Sequence, residues 1–113
     1  DNKLLMVIDA SNGKIISKPP IGDGCDGTAF DASLKYVFAS CGEGLLTVIQ
    51  EVSANEFKIV ENITTKRGAR TLSVDPVTHT VYLPTAEFES APNQNQRPPM
   101  KSGTFQVLVL GRK

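Results

Sequence analysis

The sequence contains no tryptophan, one histidine and two cysteines, and only 6% of its 113 residues are aromatic. So few nitrogen and sulfur ligands, with no Cys-x-x-Cys spacing, give no expectation of a metal. Net charge is also missing, because 12 Lys and Arg balance 12 Asp and Glu. That balance argues against a broad electrostatic attraction to nucleic acid or to an anionic membrane. Long apolar runs are absent as well. The longest, Leu4–Ile8, falls far short of the roughly 20 residues a membrane-spanning helix needs. The first residue is Asp1 rather than Met, as expected of a processed chain or a piece of a longer one, from which any export signal is already gone.

What is present is an ordinary globular mix, 40% hydrophobic and 21% charged, sufficient for the core of one small domain. Val, Ile and Thr together number 26 and fall in short clusters separated by Gly, Pro, Asn, Asp and Ser. This is the pattern of many short strands, and each cluster ends before two helical turns could accumulate. The expected strands are Leu4–Asp9, Lys14–Ile21, Gly27–Asp31, Tyr36–Cys41, Leu45–Glu51, Phe57–Thr64, Arg70–Asp75, Val81–Thr85 and Thr104–Leu110. Turn signals such as Asn12-Gly13 and Asp75-Pro76 join them into an antiparallel meander, so the fold class is all-β.

The chain repeats itself. Met6-Val7-Ile8-Asp9 recurs as Thr47-Val48-Ile49-Gln50 and again as Gln106-Val107-Leu108-Val109. Offsets of 41, 43, 44 and 46 separate Val7 from Val48, Thr28 from Thr71, Asp31 from Asp75 and Tyr36 from Tyr82. A period of this length holding four strands is the size of one β-propeller blade.

Tyr36-Val37-Phe38-Ala39-Ser40 followed by Leu46-Thr47-Val48-Ile49, with Val7-Ile8-Asp9 before and Tyr82-Leu83-Pro84-Thr85 after, resembles the YVTN-type β-propeller repeat. The stretches from Asp75 to Ala86 and from Gly103 to Val109 are similar to the closing blade of bacterial seven-bladed members. Neither repeat spells Tyr-Val-Thr-Asn, and a full member would be about three times as long. The resemblance implies a partial propeller of about two blades plus extra strands. Residues 1–24 would supply the outer strands of one blade, 25–66 a full blade, and 67–113 a last blade with a long loop over 89–103. That loop is polar and Pro-rich, and is expected to be a mobile, solvated insertion.

Unpaired edges and uncovered blade faces imply self-association, or the remaining blades of a longer propeller, or another protein partner. The expected role is therefore a non-enzymatic binding or assembly module. The alternative is part of a propeller enzyme or small-ligand carrier, or a weakly DNA-binding propeller. The connections between blades would ring one mouth of the central channel, which makes Asp23, Asp26, Arg67 and Arg70 the candidate ligand-binding residues. Lys66, Arg67 and Arg70 without an aromatic stacking platform argue against nucleic acid.

No catalytic residue is assigned. There is no Gly-x-Ser-x-Gly, and His79 is expected to face solvent in a turn. Gly22-Asp23-Gly24-Cys25-Asp26-Gly27 matches Gly-x-Gly-x-x-Gly in letters, but a strand follows where a helix is required, so no phosphate-binding cofactor is expected. The same stretch lacks the oxygen spacing of a calcium loop. A turn pairing Asp31 with Lys35 would place Cys25 opposite Cys41, leaving either a disulfide or two adjacent thiols. A disulfide would imply an oxidising compartment, a periplasm or the extracellular space.

Overall fold

The computed structural model describes residues 2–91, 93 and 97–112. Nine strands form three antiparallel sheets, and none of the described residues is helical. The first sheet pairs β1 (Val7–Ile8) with β2 (Ile15–Ser17). The second has four strands in chain order, β3 (Cys25–Asp31), β4 (Tyr36–Cys41), β5 (Leu45–Ser53) and β6 (Glu56–Thr64). The third has three, β7 (Ser73–Val74), β8 (Val81–Thr85) and β9 (Gln106–Leu110).

Short turns join the strands of the second sheet and join β7 to β8, whereas a long connection leads from β8 to β9, and the repeat is visible in the turns themselves. Asp31 Oδ1 accepts from the backbone N–H groups of Ser33 and Leu34, at 3.1 and 3.2 Å. Asp75 Oδ1 accepts in the same way from Val77 and Thr78, at 2.8 and 3.4 Å. Four residues after each aspartate the backbone turns left-handed, at Lys35 (φ 58°) and His79 (φ 61°). The aspartates organise the turn, which lets a non-glycine residue close it despite the steric cost of that region.

This turn is one residue longer than the sequence suggested. Asp31 pairs with Tyr36 rather than with Lys35, so the hairpin register starts one step off the expected one. A bulge between Cys25 and Gly27 then removes the offset, and Cys25 does sit opposite Cys41.

The core lies between the second and third sheets. Phe38, Leu46 and Val48 of one face Val81 and Leu83 of the other, with Ala69 of the connecting segment between them and Leu72, Leu108 and Leu110 packed around. Leu46, Ile49 and Leu83 are buried almost completely. Burial of each such side chain contributes about 2 kcal/mol. β5 is buried on both faces over Leu46–Ile49, and Val37, the cross-strand partner of Ile49, lines a gap shared with Leu5, Met6 and Val7 of the first sheet's segment. The first strands β3 and β7 of neighbouring sheets approach each other, as do the last strands β2 and β6.

Candidate functional site

Between the second and third sheets, at the end reached by the β6–β7 connection, lies a cleft of about 490 Å³. Arg67, Arg70 and Arg97 line it together with Phe88, Met100 and Phe105. Its base is fixed by buried hydroxyls. Ser40 Oγ donates to the carbonyl of Arg70 at 2.7 Å, and Thr85 Oγ1 to that of Arg67 at 3.0 Å. Both hydroxyls belong to buried residues, so the backbone bearing two of the three arginines is held from beneath.

Gly68 makes the connection possible. Its φ is +85°, and a Cβ there would stand 2.5 Å from Cε2 of Phe88. Only glycine lets the ring lie this close against the backbone. Gly68 N–H also donates to the carbonyl of Gly42 at 2.8 Å, tying the connection to the β4–β5 turn.

The segment expected to be a mobile loop is fastened at its described ends. Phe88 and Met100 form a bridge. Glu89 N–H donates to Pro99 O at 2.9 Å, and Lys101 N–H to Glu87 O at 2.8 Å. Thr104 Oγ1 accepts from Glu87 N–H at 3.0 Å and lies 2.7 Å from Lys101 O. These bonds continue the β8–β9 hairpin as an arm that lies over Gly68 and brings Phe88, Met100 and Arg97 to the cleft.

Of the four residues chosen from the sequence, Arg67 and Arg70 meet in this cleft and Asp26 reaches its edge. Arg70 Nε is 3.4 Å from Asp26 Oδ2, with both side chains about half exposed, a pair of small energetic value. Asp23 does not line the cleft. Its backbone N–H donates to Glu43 Oε1 at 2.9 Å. Sequence reasoning missed Arg97, Phe88, Met100 and Phe105: Arg97 and Met100 lie in 89–103, whose composition reads as solvated, and nothing in the letters shows that Phe88 and Phe105 on either side of it line one cleft.

His79 corrects a second expectation. It does not face solvent: its Nδ1 lies 2.5 Å from Asp31 Oδ2 across the seam between the sheets, and its side chain is only 22% exposed. Cys25 and Cys41 are free thiols on directly opposed positions. Burial, with Cys25 adding to it, pushes the Cys41 thiol up to about 11. No group of three or more His, Cys, Asp and Glu side chains placed to hold a metal occurs among the described residues.

Two further surfaces are apolar and bare. On the third sheet Tyr82 and Val109 are cross-strand partners, as are Pro84 and Val107, so all four share a face. Val109 is 62% exposed there, and Val107 and Tyr82 are exposed too. On the first sheet Ile8 pairs with Ile15, and both are exposed, Ile8 at 53%. The edges differ as well: β6 ends the four-stranded sheet with Glu56, Lys58 and Glu61, whereas β9 ends the three-stranded one with no charge at all.

The chain matches no family model, no curated protein and no solved structure.

Proposed function

We propose that this chain is a segment of a YVTN-type β-propeller that acts as a non-enzymatic binding and assembly module, its end sheets packing head to tail on second copies of itself. One observation carries the reading. In the middle sheet the repeat positions of Pro84 and Val107 are Phe38 and Val48, and there the following sheet buries them, Val48 to 5% exposure. The counterpart of Ile8 in the middle sheet is Ile49, which is fully buried. Each end sheet therefore bares the face that the middle sheet covers, and the two bare faces are different patches. An interface between them is heterologous, which builds rings or open chains rather than an isolated two-fold dimer. The uncharged edge of β9 adds to the support, since unprotected edges accept further strands. An oxidising compartment, a bacterial periplasm or the cell exterior, belongs to the same proposal and rests on the opposed cysteines.

Light scattering after size exclusion tests the assembly. The expected result is a concentration-dependent mass above 12.2 kDa. Val109→Glu and Ile8→Glu each carry a charge on one bare face and are expected to be monomers alone. Mixed, they are expected to form a one-to-one dimer through the face each retains. A wild-type monomer at all concentrations overturns self-association and leaves the remaining blades of a longer propeller as the occupant. A mixture that stays monomeric while the wild type associates overturns the head-to-tail geometry.

A further inference from the structure

We infer that the cleft between the second and third sheets binds a small organic anion whose charge sits on a flat apolar body, an aryl carboxylate or aryl phosphate. The lining sets the class. Arg67, Arg70 and Arg97 bring three positive charges, and among the described residues no Asp or Glu lines the cleft. Arg67 and Arg97 make no ion pair among the described residues, and Arg70 has only the exposed Asp26. Guanidinium forks match the paired oxygens of carboxylates and phosphates, and repel a cation of the same shape. Beside them Phe88, Met100 and Phe105 form an apolar wall that suits an aromatic ring through stacking and sulfur contacts.

Size and preorganisation agree with this. About 490 Å³ lies within the range of small-molecule sites. The backbone under Arg67 and Arg70 is already clamped by Thr85 and Ser40, and the Phe88–Met100 bridge holds the wall, so little ordering remains for a ligand to induce. An inorganic anion would satisfy the arginines but leave the wall wet, which separates the proposed class from simple phosphate. The site does not rest on the assembly reading, because one chain supplies the described lining, although Pro84 belongs both to that lining and to the bare face of the third sheet.

The test uses the full chain carrying Val109→Glu, whether or not the wild type self-associates. Calorimetric or NMR titrations are run with 2-naphthoate, 2-naphthyl phosphate, 2-naphthylmethylamine and inorganic phosphate. The naphthyl anions are expected to bind with a Kd on the order of 1 mM or tighter. The amine and inorganic phosphate are expected to bind at least about tenfold more weakly, and the tighter of the two naphthyl anions identifies the head group. Arg67→Gln and Arg97→Gln should each weaken naphthoate several-fold, and Phe105→Ser should weaken naphthoate while leaving inorganic phosphate unchanged. Absence of saturable naphthyl-anion binding up to about 10 mM overturns the site. So does equal binding of the amine, equal binding of inorganic phosphate, or undiminished binding to a folded Arg67→Gln/Arg97→Gln double variant.

Discussion

The carboxylate of Asp31, only 1% exposed, meets the imidazole of His79 at 2.5 Å and so joins the turn of one sheet to the equivalent turn of the next. Each oxygen has its own task. Oδ1 caps the turn at Ser33 and Leu34, and Oδ2 takes the contact across the seam. Burial alone would push this carboxyl up. The hydrogen bonds from His79, Leu34 and Ser33, with the His79 charge, outweigh it and hold the group below its ordinary 3.8.

Asp31→Asn keeps an oxygen for the turn but removes the charge offered to His79. The expected outcome is a Tm lower by roughly 5 °C or more at neutral pH. The sign with pH follows from a depressed folded pKa: the stabilisation is fully present above 3.8 and is lost as pH falls through the lower folded value. Thermal melts from acid to neutral pH should therefore show wild type and variant converging in acid. Parallel curves would mean that Asp31 acts through the turn alone.

Gly68→Ala places a methyl group 2.5 Å from the Phe88 ring at a backbone φ of +85°. Backbone strain and displacement of the ring together are expected to cost about 1–3 kcal/mol in urea unfolding. Gly103, also at positive φ but with open space around it, should suffer less when changed to Ala. Equal losses at the two positions would show that backbone strain decides the effect and that the ring contact contributes nothing.

The two cysteines should differ in reactivity. Cys41 is fully buried and its thiol is pushed up to about 11 by that burial and by Cys25, so it carries almost no thiolate near pH 8. Iodoacetamide is expected to modify the native chain once, at Cys25, and to modify both residues in urea. Mass spectrometry of peptides reads this directly, and equal labelling of the two in the native chain would contradict the burial of Cys41. Under a mild oxidant the opposed pair is expected to close into an intramolecular disulfide, seen as a loss of both alkylation sites.

The strand pattern was legible because each strand is short, β-branched and bounded by turn formers. Val81–Thr85 and Tyr36–Cys41 lie at the bounds read from the letters, each the apolar stretch that follows an aspartate-led turn. Arg70–Asp75 shrank to Ser73–Val74, because Arg70 and its neighbours bend around Gly68 instead of pairing. The Cys25–Cys41 register came out right through two cancelling irregularities, a longer turn and a bulge, neither of which the letters encode. Arg67 and Arg70 were visible as a basic connection. Their apolar wall was not, because Phe88 and Phe105 are 17 positions apart, on either side of a segment whose composition reads as solvated. His79 was misplaced for a related reason. Its partner Asp31 lies 48 residues away, and only the stacking of sheets brings the two together.

Every strand within a sheet pairs with its neighbour in the chain, and no crossover connection occurs among the described residues. The four-stranded sheet is therefore complete once Thr64 has left the ribosome, before any residue of the third sheet is needed. Local pairing of this kind lowers contact order and favours rapid folding during synthesis. The slow event is then the docking of the finished third sheet, when Leu83 and Leu108 close over Phe38 and the distant aspartate and histidine first meet. Until that moment the growing chain exposes Phe38, Leu46 and Val48, so the interval between emergence of β6 and emergence of β9 is when it is most open to aggregation.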